Sequence, residues 1–446
     1  MSFDWPEFQL SEKCTIKSST RIFKKEYVET GVPFMRSKDV IDKALGVFSH
    51  FELFISKERY KEIKSKYGSP KEGDLLISSV GNRSGWPYIV QDEGDFYFKD
   101  GNVIWMSEFD GLDPDFLAYW LKSDIGQSAL SSIMIGSAQK AITIDSLRKL
   151  WVSFPPFEYQ QLSSDVLKLL DKKIASNKAT NQTLEEIAQA IFKSWFVDFD
   201  PVIAKMNGEQ PEGMDAATAS LFPEKLVESE LGLIPEGWPV DQVGKHIDVT
   251  KGKSYKSAEL QESTTALVTL KSFKRGGGYR MDGLKEYTGK YKPQQVIEAG
   301  DLVMSLTDVT QAAEIVGKPA LVIDAPQYDT LVASLDVAIL RPKETDAKQY
   351  FYGLMSTYRF HRYAESFATG TTVLHLSPKG ITTFEFACPS AELVKKYHEF
   401  AAPIFAKIEA NILESQELAK LRDTLLPKLL SGEIELGTSE ELVEAI

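Results

Sequence analysis

The chain has 446 residues, of which 43% are hydrophobic and 26% are charged, and its net charge is −13 at pH 7. This is the composition of a globular protein of two or three domains, which excludes wholesale disorder. No apolar run reaches the ~18 residues of a membrane helix, and the N-terminal segment has no signal-peptide pattern. Because Cys14 and Cys388 are too few for a disulfide framework, we expect a reduced, cytoplasmic protein.

The charge is unevenly distributed along the chain. Residues 13–71 hold 14 basic and 7 acidic side chains, and residues 245–292 hold 11 basic and 5 acidic ones. A negative total therefore does not exclude nucleic acid, because charge acts where it is placed. Ordinary solvated surface is the alternative for each basic residue taken singly.

The sequence repeats itself in colinear order, which is typical of a tandem architecture. The first copy has a Gly-Asp turn before an apolar strand, a helical patch, a glycine loop and a β-rich run that ends in proline, and the second copy follows the same order. The matched segments are Pro33–Ser37 with Val268–Ser272, Gly73–Ile77 with Gly300–Met304, Phe116–Ser128 with Tyr350–Arg362, Gly136–Lys140 with Gly370–Leu374, and Leu150–Pro156 with Thr383–Pro389.

Each copy ends in a long helical stretch with apolar residues at alternating spacings of three and four. This pattern predicts a coiled-coil partner helix, and a polar layer at one level fixes its register. The polar layer consists of Asn177 and Asn181 in the first helix and Asn411 and Ser415 in the second. Arg422 is the one charged residue in the apolar seam of the second helix.

These patterns predict an α+β fold with two β-rich globules, separated by two long antiparallel coiled-coil helices in a pseudo-two-fold tandem repeat. Helices packed only on their own globules are the alternative. We expect Pro427 to kink or end the second helix near Leu426. The predicted segments are a first globule (1–157), a central helix (158–199), a linker with one helical turn (200–234), a second globule (235–390), a C-terminal helix (391–432) and an acidic tail (433–446).

The chain lacks the parts of a catalyst. Its five histidines and two cysteines have no metal-ligand spacing, and no Gly-x-Ser-x-Gly elbow is present. The segment Gly252–Ser254 has no glycine at the first position of a phosphate loop. We therefore predict that the chain alone catalyses nothing and holds neither a metal nor a cofactor.

Two similar globules suit a ligand with approximate two-fold symmetry, and duplex DNA is such a ligand. Basic side chains would contact phosphates, and polar loop residues would read bases. The predicted DNA-binding residues are Lys24, Lys25, Arg36, Lys38, Asn82, Arg83, Ser84, Gln139 and Lys140 in the first globule, and Lys271, Lys274, Arg275, Arg280, Thr307, Gln311, Thr371 and Thr372 in the second.

Three segments carry a family resemblance: Asn181–Phe199 (NQTLEEIAQAIFKSWFVDF), Gly232–Trp238 (GLIPEGW) and Leu418–Glu433 (LAKLRDTLLPKLLSGE). With these motifs the chain resembles the specificity (S) subunit of type I restriction–modification systems over nearly its whole length. The N-terminal segment Trp5–Phe8 differs from the way in which a recognition domain of this family usually begins, since it has no glycine at the position that corresponds to Gly237.

The resemblance implies two target-recognition domains that bind a bipartite double-stranded DNA sequence, one half-site each. It implies docking of two methyltransferase subunits on the helices, and of motor-nuclease subunits that cleave unmodified DNA. S-adenosylmethionine, ATP and magnesium would belong to those partners. An apolar helix face of Ile187, Phe192, Phe196, Leu421 and Leu426 fits a partner surface, with additional coiled-coil core as the alternative.

Two other functions stay open from the sequence. One is a stand-alone bipartite DNA-binding regulator, which needs no methyltransferase. The other is a coiled-coil scaffold whose globules bind protein. Strong salt dependence of DNA binding would exclude the scaffold.

Overall fold

A computed structural model describes residues 5–48, 50–81, 84–136, 140–309 and 312–434. The chain divides into two compact units. Unit 1 comprises residues 1–175 and 416–446, and unit 2 comprises residues 176–415.

Unit 1 is built from short strands and helices and includes the first part of a long helix. Its strands are β1 (Glu7–Gln9), β2 (Thr15–Lys17), β3 (Tyr27–Val28), β4 (Val32–Met35), β5 (Phe54–Ile55), β6 (Leu75–Ser78), β7 (Pro87–Ile89), β8 (Tyr97–Phe98), β9 (Val103–Ser107) and β10 (Trp151–Ser153). Its helices are α1 (Ser37–Ala44), α2 (Lys57–Tyr67), α3 (Pro114–Lys122), α4 (Asp124–Ile133), α5 (Ile144–Arg148) and the beginning of α6 (Phe157–Phe196).

Unit 2 is likewise built from short strands and helices. Its strands are β11 (Leu226–Ser229), β12 (Gly232–Pro235), β13 (Val240–Gln242), β14 (Ile247–Lys251), β15 (Thr265–Val268), β16 (Lys285–Glu286), β17 (Val296–Ile297), β18 (Leu302–Ser305), β19 (Thr307–Asp308), β20 (Pro319–Leu321), β21 (Thr330–Ala333), β22 (Val337–Pro342), β23 (Ala368–Thr369), β24 (Leu374–Leu376) and β25 (Glu385–Ala387). Its helices are the remainder of α6, α7 (Asp200–Met206), α8 (Ala216–Ser220), α9 (Lys348–Ser356), α10 (Tyr358–Ser366), α11 (Lys379–Thr382) and most of α12 (Ala391–Ser431), whose last part belongs to unit 1.

The predicted repeat is confirmed by sheet topology. Unit 1 has a four-stranded sheet in the order β2-β9-β6-β7, and unit 2 has the same arrangement as β14-β22-β18-β20. A second sheet in each unit contains one parallel pair, β4 with β8 and β15 with β21. In both units an early strand also pairs antiparallel with the last strand, β1 with β10 and β13 with β25.

The patches predicted to be helical at 116–128 and 350–362 are helical, and each consists of two helices, α3 with α4 and α9 with α10. Ser123 ends α3 and caps α4, and its hydroxyl accepts a hydrogen bond from the Gly126 N–H at 3.2 Å. Thr357 does the same between α9 and α10, where it accepts from the Phe360 N–H at 3.2 Å. A capping hydroxyl at the same place in each copy lets a new helix begin there, because it accepts a hydrogen bond from an N–H group of the first turn that has no partner within the helix.

The segment predicted as a linker at 200–234 is ordered structure, with α7, α8 and the hairpin β11–β12. Val202 and Phe222 are buried in the main core of unit 2. The linker prediction was wrong because these apolar anchors hold a Pro- and Gly-rich segment that has no clear periodicity.

The long helices α6 and α12 pack antiparallel within each unit. In unit 2 the Asn177 amide donates to the carbonyl of Asn411 at 3.4 Å and the Asn181 amide donates to that of Ile408 at 3.2 Å. The Asn411 amide donates to Asn181 Oδ1 at 2.8 Å. The predicted polar layer is therefore a buried, hydrogen-bonded network that favours one register.

In unit 1 the same helices meet through Leu167 and Leu429, and the Arg422 guanidinium donates to Asp171 at 2.7 Å. Helix α12 does not end near Leu426, as Pro427 led us to expect, but at Ser431. Leu429 and Leu430 are buried in the core of unit 1 beyond the proline. Their burial offsets the hydrogen bond that a proline removes from a helix.

Candidate nucleic-acid interface

Two loops that are distant in sequence meet in unit 1. The loop between β6 and β7 forms a bridge from Val80 to Ala141, in the segment that precedes α5. The Ile142 N–H donates to the Ser79 carbonyl at 2.9 Å. Across this segment Ala141 and Ile135 exchange two backbone hydrogen bonds of 2.9 Å. The predicted segments around Ser84 and Lys140 are thus brought to one place.

Unit 2 repeats this arrangement in a more regular form. Thr307 of β19 pairs with His375 of β24, and His375 also pairs with Thr369 of β23. The Leu376 N–H donates to the Leu306 carbonyl at 2.7 Å, as Ile142 does to Ser79 in unit 1.

Directly opposite residues of antiparallel strands point to the same face, so each unit presents a row of three neighbouring side chains. We call Val80, Ala141 and Ile135 row 1, and Thr307, His375 and Thr369 row 2. Ala141 and His375 are 234 positions apart, as are Ile135 and Thr369.

Sequence reasoning missed both rows except for Thr307. Two features of the sequence could have identified the rows. Their residues flank the repeated glycine segments, and row 1 has an isoleucine in a loop that is otherwise polar. Ile135 is 62% exposed. Ile135 and Thr369 are each followed by a glycine at positive φ, Gly136 at +116° and Gly370 at +129°, a conformation that other residues rarely adopt. At Gly370 a β-carbon would lie 1.9 Å from the Val373 carbonyl oxygen.

The predicted basic residues of unit 1 differ in how far they are available. Lys24, Lys25, Lys38 and Lys140 are exposed. Arg36 is half-buried and donates to Asp39 at 3.0 Å and to Glu52 at 2.9 Å. These hydrogen bonds, the one to Asp39 above all, raise the pKa of the Arg36 guanidinium. Arg36 caps α1 and holds two carboxylates, so its charge is already balanced within unit 1.

In unit 2 the predicted cations surround a glycine loop. Lys271 and Lys274 are exposed, whereas Arg275 pairs with Glu314 at 3.3 Å and Arg280 donates to Asp282 at 2.9 Å. The Gly276 N–H donates to the Glu314 carbonyl at 3.0 Å, so the glycine loop lies against the loop between β19 and β20. Thr371 and Thr372, which were also predicted to bind DNA, are exposed on the turn that leads into β24.

The strand ends correct the alignment that we drew from the sequence. Strand β4 ends at Met35 and β15 ends at Val268, and each leads into a helical turn. Counted from those ends, Lys271 corresponds to Lys38 and not to Arg36. Lys38 and Lys271 are both exposed on that turn.

Two predicted contact residues are wrong as surface contacts. Ser84 is 7% exposed and Thr307 is 5% exposed, and the Thr307 hydroxyl donates to Asp336 at 2.8 Å. Small hydroxyl side chains satisfy their hydrogen bonds inside the fold at these positions. The predicted residues Asn82, Arg83, Gln139 and Gln311 lie outside the described residues.

The predicted partner face is only partly on the surface. Ile187 is 41% exposed and Leu421 is 46% exposed, while Leu426 is half-buried against the core of unit 1. Phe192 and Phe196 are 2% and 8% exposed, so their assignment to a partner surface was wrong. Their rings pack against Tyr350 and Tyr397, because the apolar stripe of α6 is wide enough to enter the core of unit 2.

One titratable cluster lies at the end of the loop between β19 and β20, where Lys318 precedes β20. Burial lowers the pKa of Lys318, and burial followed by the positive charge of Lys318 lowers the pKa of His361. Glu365 and Arg362 are the other charges that act on His361, and Glu365 partly offsets its shift. Within the described residues, the buried Nδ1 of His361 has no hydrogen-bond partner.

In residues 5–48, 50–81, 84–136, 140–309 and 312–434, no group of three or more His, Cys, Asp or Glu side chains is arranged to hold a metal ion. Over the same ranges, no helix combines the length and the apolarity needed to cross a membrane.

The repeated sheets, the paired helices and the loop clusters define a tandem-repeat α+β protein with two β-rich units. Residues 3–186 match the family model of the type I restriction modification DNA specificity domain. The chain is 26% identical to the type I restriction enzyme HindI specificity subunit of Haemophilus influenzae, over 97% of this chain and 100% of the relative. It is also 26% identical to the MjaIX specificity subunit of Methanocaldococcus jannaschii, over 93% of this chain and 89% of the relative.

The fold is found in a solved structure. The S subunit of a type I restriction–modification system from M. genitalium superposes with a TM-score of 0.54 at 14% identity, over 97% of each chain. The family resemblance inferred from the sequence is confirmed by these matches. The proteins that this chain resembles over nearly its whole length are thus specificity subunits of type I restriction enzymes.

Proposed function

We propose that the chain reads a bipartite, gapped DNA target, with one half-site recognised by each unit. The observation that carries this proposal is that the same convergence of loops recurs in both units with different side chains. Row 1 and row 2 share their strand pairing but not one residue type. Two diverged copies of one surface suit two different half-sites, since a scaffold positions the contacts and the side chains select the bases.

Exposed cations beside these loops support DNA as the ligand. Lys38 and Lys271 occupy corresponding turns, Lys140 lies next to row 1, and Lys274 lies in the glycine loop of unit 2. Among the residues that the structure describes, none of these four lysines forms a salt bridge. Such lysines suit phosphate contacts, which position a protein on the duplex without reading its sequence.

We further propose that the long helices bind two methyltransferase subunits and that motor-nuclease subunits join this assembly in the cytoplasm. Ile187 on α6 and Leu421 on α12 are exposed apolar side chains suited to such contacts. S-adenosylmethionine, ATP and magnesium would be bound by the partners and not by this chain. The name of the H. influenzae relative, a subunit of a type I restriction enzyme, supports an assembly of this kind.

The test is a map of N6-methyladenine across the host genome, with and without the gene. We expect a gapped, asymmetric methylated motif that disappears on deletion and returns when the gene is restored. An unchanged methylation map would contradict the proposal. Sequence-specific binding of DNA by the purified chain would then indicate a stand-alone regulator.

A further inference from the structure

Row 1 and row 2 have opposite chemistry on the same scaffold. Row 1 consists of Val80, Ala141 and Ile135, which are all aliphatic. Row 2 consists of Thr307, His375 and Thr369, which all carry hydrogen-bonding groups. Since the backbone pairing is conserved between the units, the folding of these strands does not require the difference in side chains.

Exposure identifies the part of each row that is available to a ligand. Ile135 is 62% exposed at the outer end of row 1, beside the exposed Lys140. His375 and Thr369 are exposed at the matching end of row 2. Thr307 is buried and its hydroxyl donates to Asp336, so Thr307 is fixed at the inner end of row 2 and is not available to a ligand. The outer pairs are thus Ile135 with Ala141 and Thr369 with His375.

We propose that these outer pairs are specificity-determining contacts: Ile135 and Ala141 read a thymine methyl group, and Thr369 and His375 read the hydrogen-bonding edge of a purine. This inference rests on the proposed function, because it assigns base readout to two pairs within the proposed interface.

The physical basis is the chemistry of the major groove. The groove admits a ribbon of two β-strands, and each base pair presents there a different set of donors, acceptors and methyl groups. Thymine alone presents a methyl group, which favours contact with an aliphatic side chain over a hydroxyl. The purines present N7, and O6 or N6, to donors and acceptors such as the Thr hydroxyl and the His imidazole.

The experiment uses the purified full-length chain and a pool of random-sequence duplexes, from which bound DNA is selected and sequenced. Ile135→Thr and Ile135→Val are compared with the parent chain, since Thr and Val have nearly the same shape and differ in a hydroxyl against a methyl. Thr369→Val is the converse change in unit 2. Ile125→Thr is the matched control, because Ile125 is 55% exposed on α4 and belongs to neither row.

We expect Ile135→Thr to reduce the preference for thymine at one position of one half-site by about tenfold, while Ile135→Val retains it. Thr369→Val should relax a purine position in the other half-site by a similar factor and leave the first half-site unchanged. Ile125→Thr should leave both half-sites as they are.

Other results would overturn the inference. If Ile135→Thr and Thr369→Val select the parent motif with the parent affinity, the outer pairs do not contact bases. A uniform loss of affinity with an unchanged motif would assign them to positioning. If the parent chain enriches no gapped motif, the proposed function itself fails and this inference fails with it.

Discussion

The ring of Phe192 on α6 lies so close to Gly353 on α9 that a β-carbon on the glycine would be 2.3 Å from the ring. Both residues lie in unit 2. At the corresponding positions of unit 1, 234 residues away in each case, the chain has Leu426 and Tyr119. Leu426 packs against the cluster that contains Tyr119. The large and small partners are therefore exchanged between the two copies: the long helix contributes the ring in unit 2, and the short helix α3 contributes it in unit 1.

We predict that Gly353→Ala destabilises the protein by about 1–3 kcal/mol, because the added methyl group overlaps the ring of Phe192. The sign is diagnostic, since the same change in an unconstrained helix interior stabilises by roughly 1 kcal/mol. Urea unfolding followed by circular dichroism measures the difference.

A double variant separates this overlap from a general defect of α9. Phe192→Leu places in unit 2 the residue that unit 1 has at the matching position, and it should recover part of the loss caused by Gly353→Ala. Strictly additive effects of the two changes would show that the ring and the glycine are not coupled.

The sequence was sufficient to predict the features that have a local signature. The two helices were predicted at 158–199 and 391–432, and they run from Phe157 to Phe196 and from Ala391 to Ser431. The polar layer of Asn177, Asn181 and Asn411 was predicted because one break in a heptad seam is visible without any structure.

Features that depend on contacts between distant segments were not predictable in this way. The row from Val80 through Ala141 to Ile135 joins two loops about 60 positions apart. The spacing of apolar residues within each loop does not predict which residues of the two loops become neighbours. Phe192 and Phe196 looked like a partner surface, because a pattern shows an apolar face and not what covers it. The burial of Thr307 has the same origin, since its partner Asp336 belongs to another loop.

Asn411→Leu is expected to cost about 1–3 kcal/mol of stability, because it leaves Asn181 Oδ1 in the helix seam without its donor. The additional change Asn181→Leu removes the unsatisfied Asn181 Oδ1 and should recover most of the lost stability. Gln182→Ala, at an exposed position one residue further along α6, is the control and should change stability by less than about 0.5 kcal/mol. Thermal unfolding of the four proteins gives the comparison, and a double variant no more stable than Asn411→Leu would contradict it.

Lys38→Ala and Lys271→Ala should each weaken DNA binding about equally on all sequences and reduce the slope of log affinity against log salt by about 1. The reason is that both lysines are exposed on corresponding turns and are suited to phosphates. Arg36→Ala should instead lower stability, because Asp39 and Glu52 would lose their shared cation. Binding titrations at several salt concentrations, together with unfolding curves, distinguish the two cases. A change of sequence preference in Lys38→Ala would make that lysine a base contact.

Acid should destabilise unit 2 through His361, whose pKa is lowered by burial and by Lys318. The unfolded chain then binds more protons than the folded chain below pH 6.5, so stability falls as the pH drops from 6.5 toward the lowered pKa of the folded state. The slope for this single group is at most about 1.4 kcal/mol per pH unit. His361→Gln should remove this contribution, and Lys318→Gln should reduce it by removing the neighbouring positive charge. Unfolding free energies measured between pH 7.5 and 5.5 test both variants, and pH profiles that run parallel to the parent profile would show that His361 is not the group responsible.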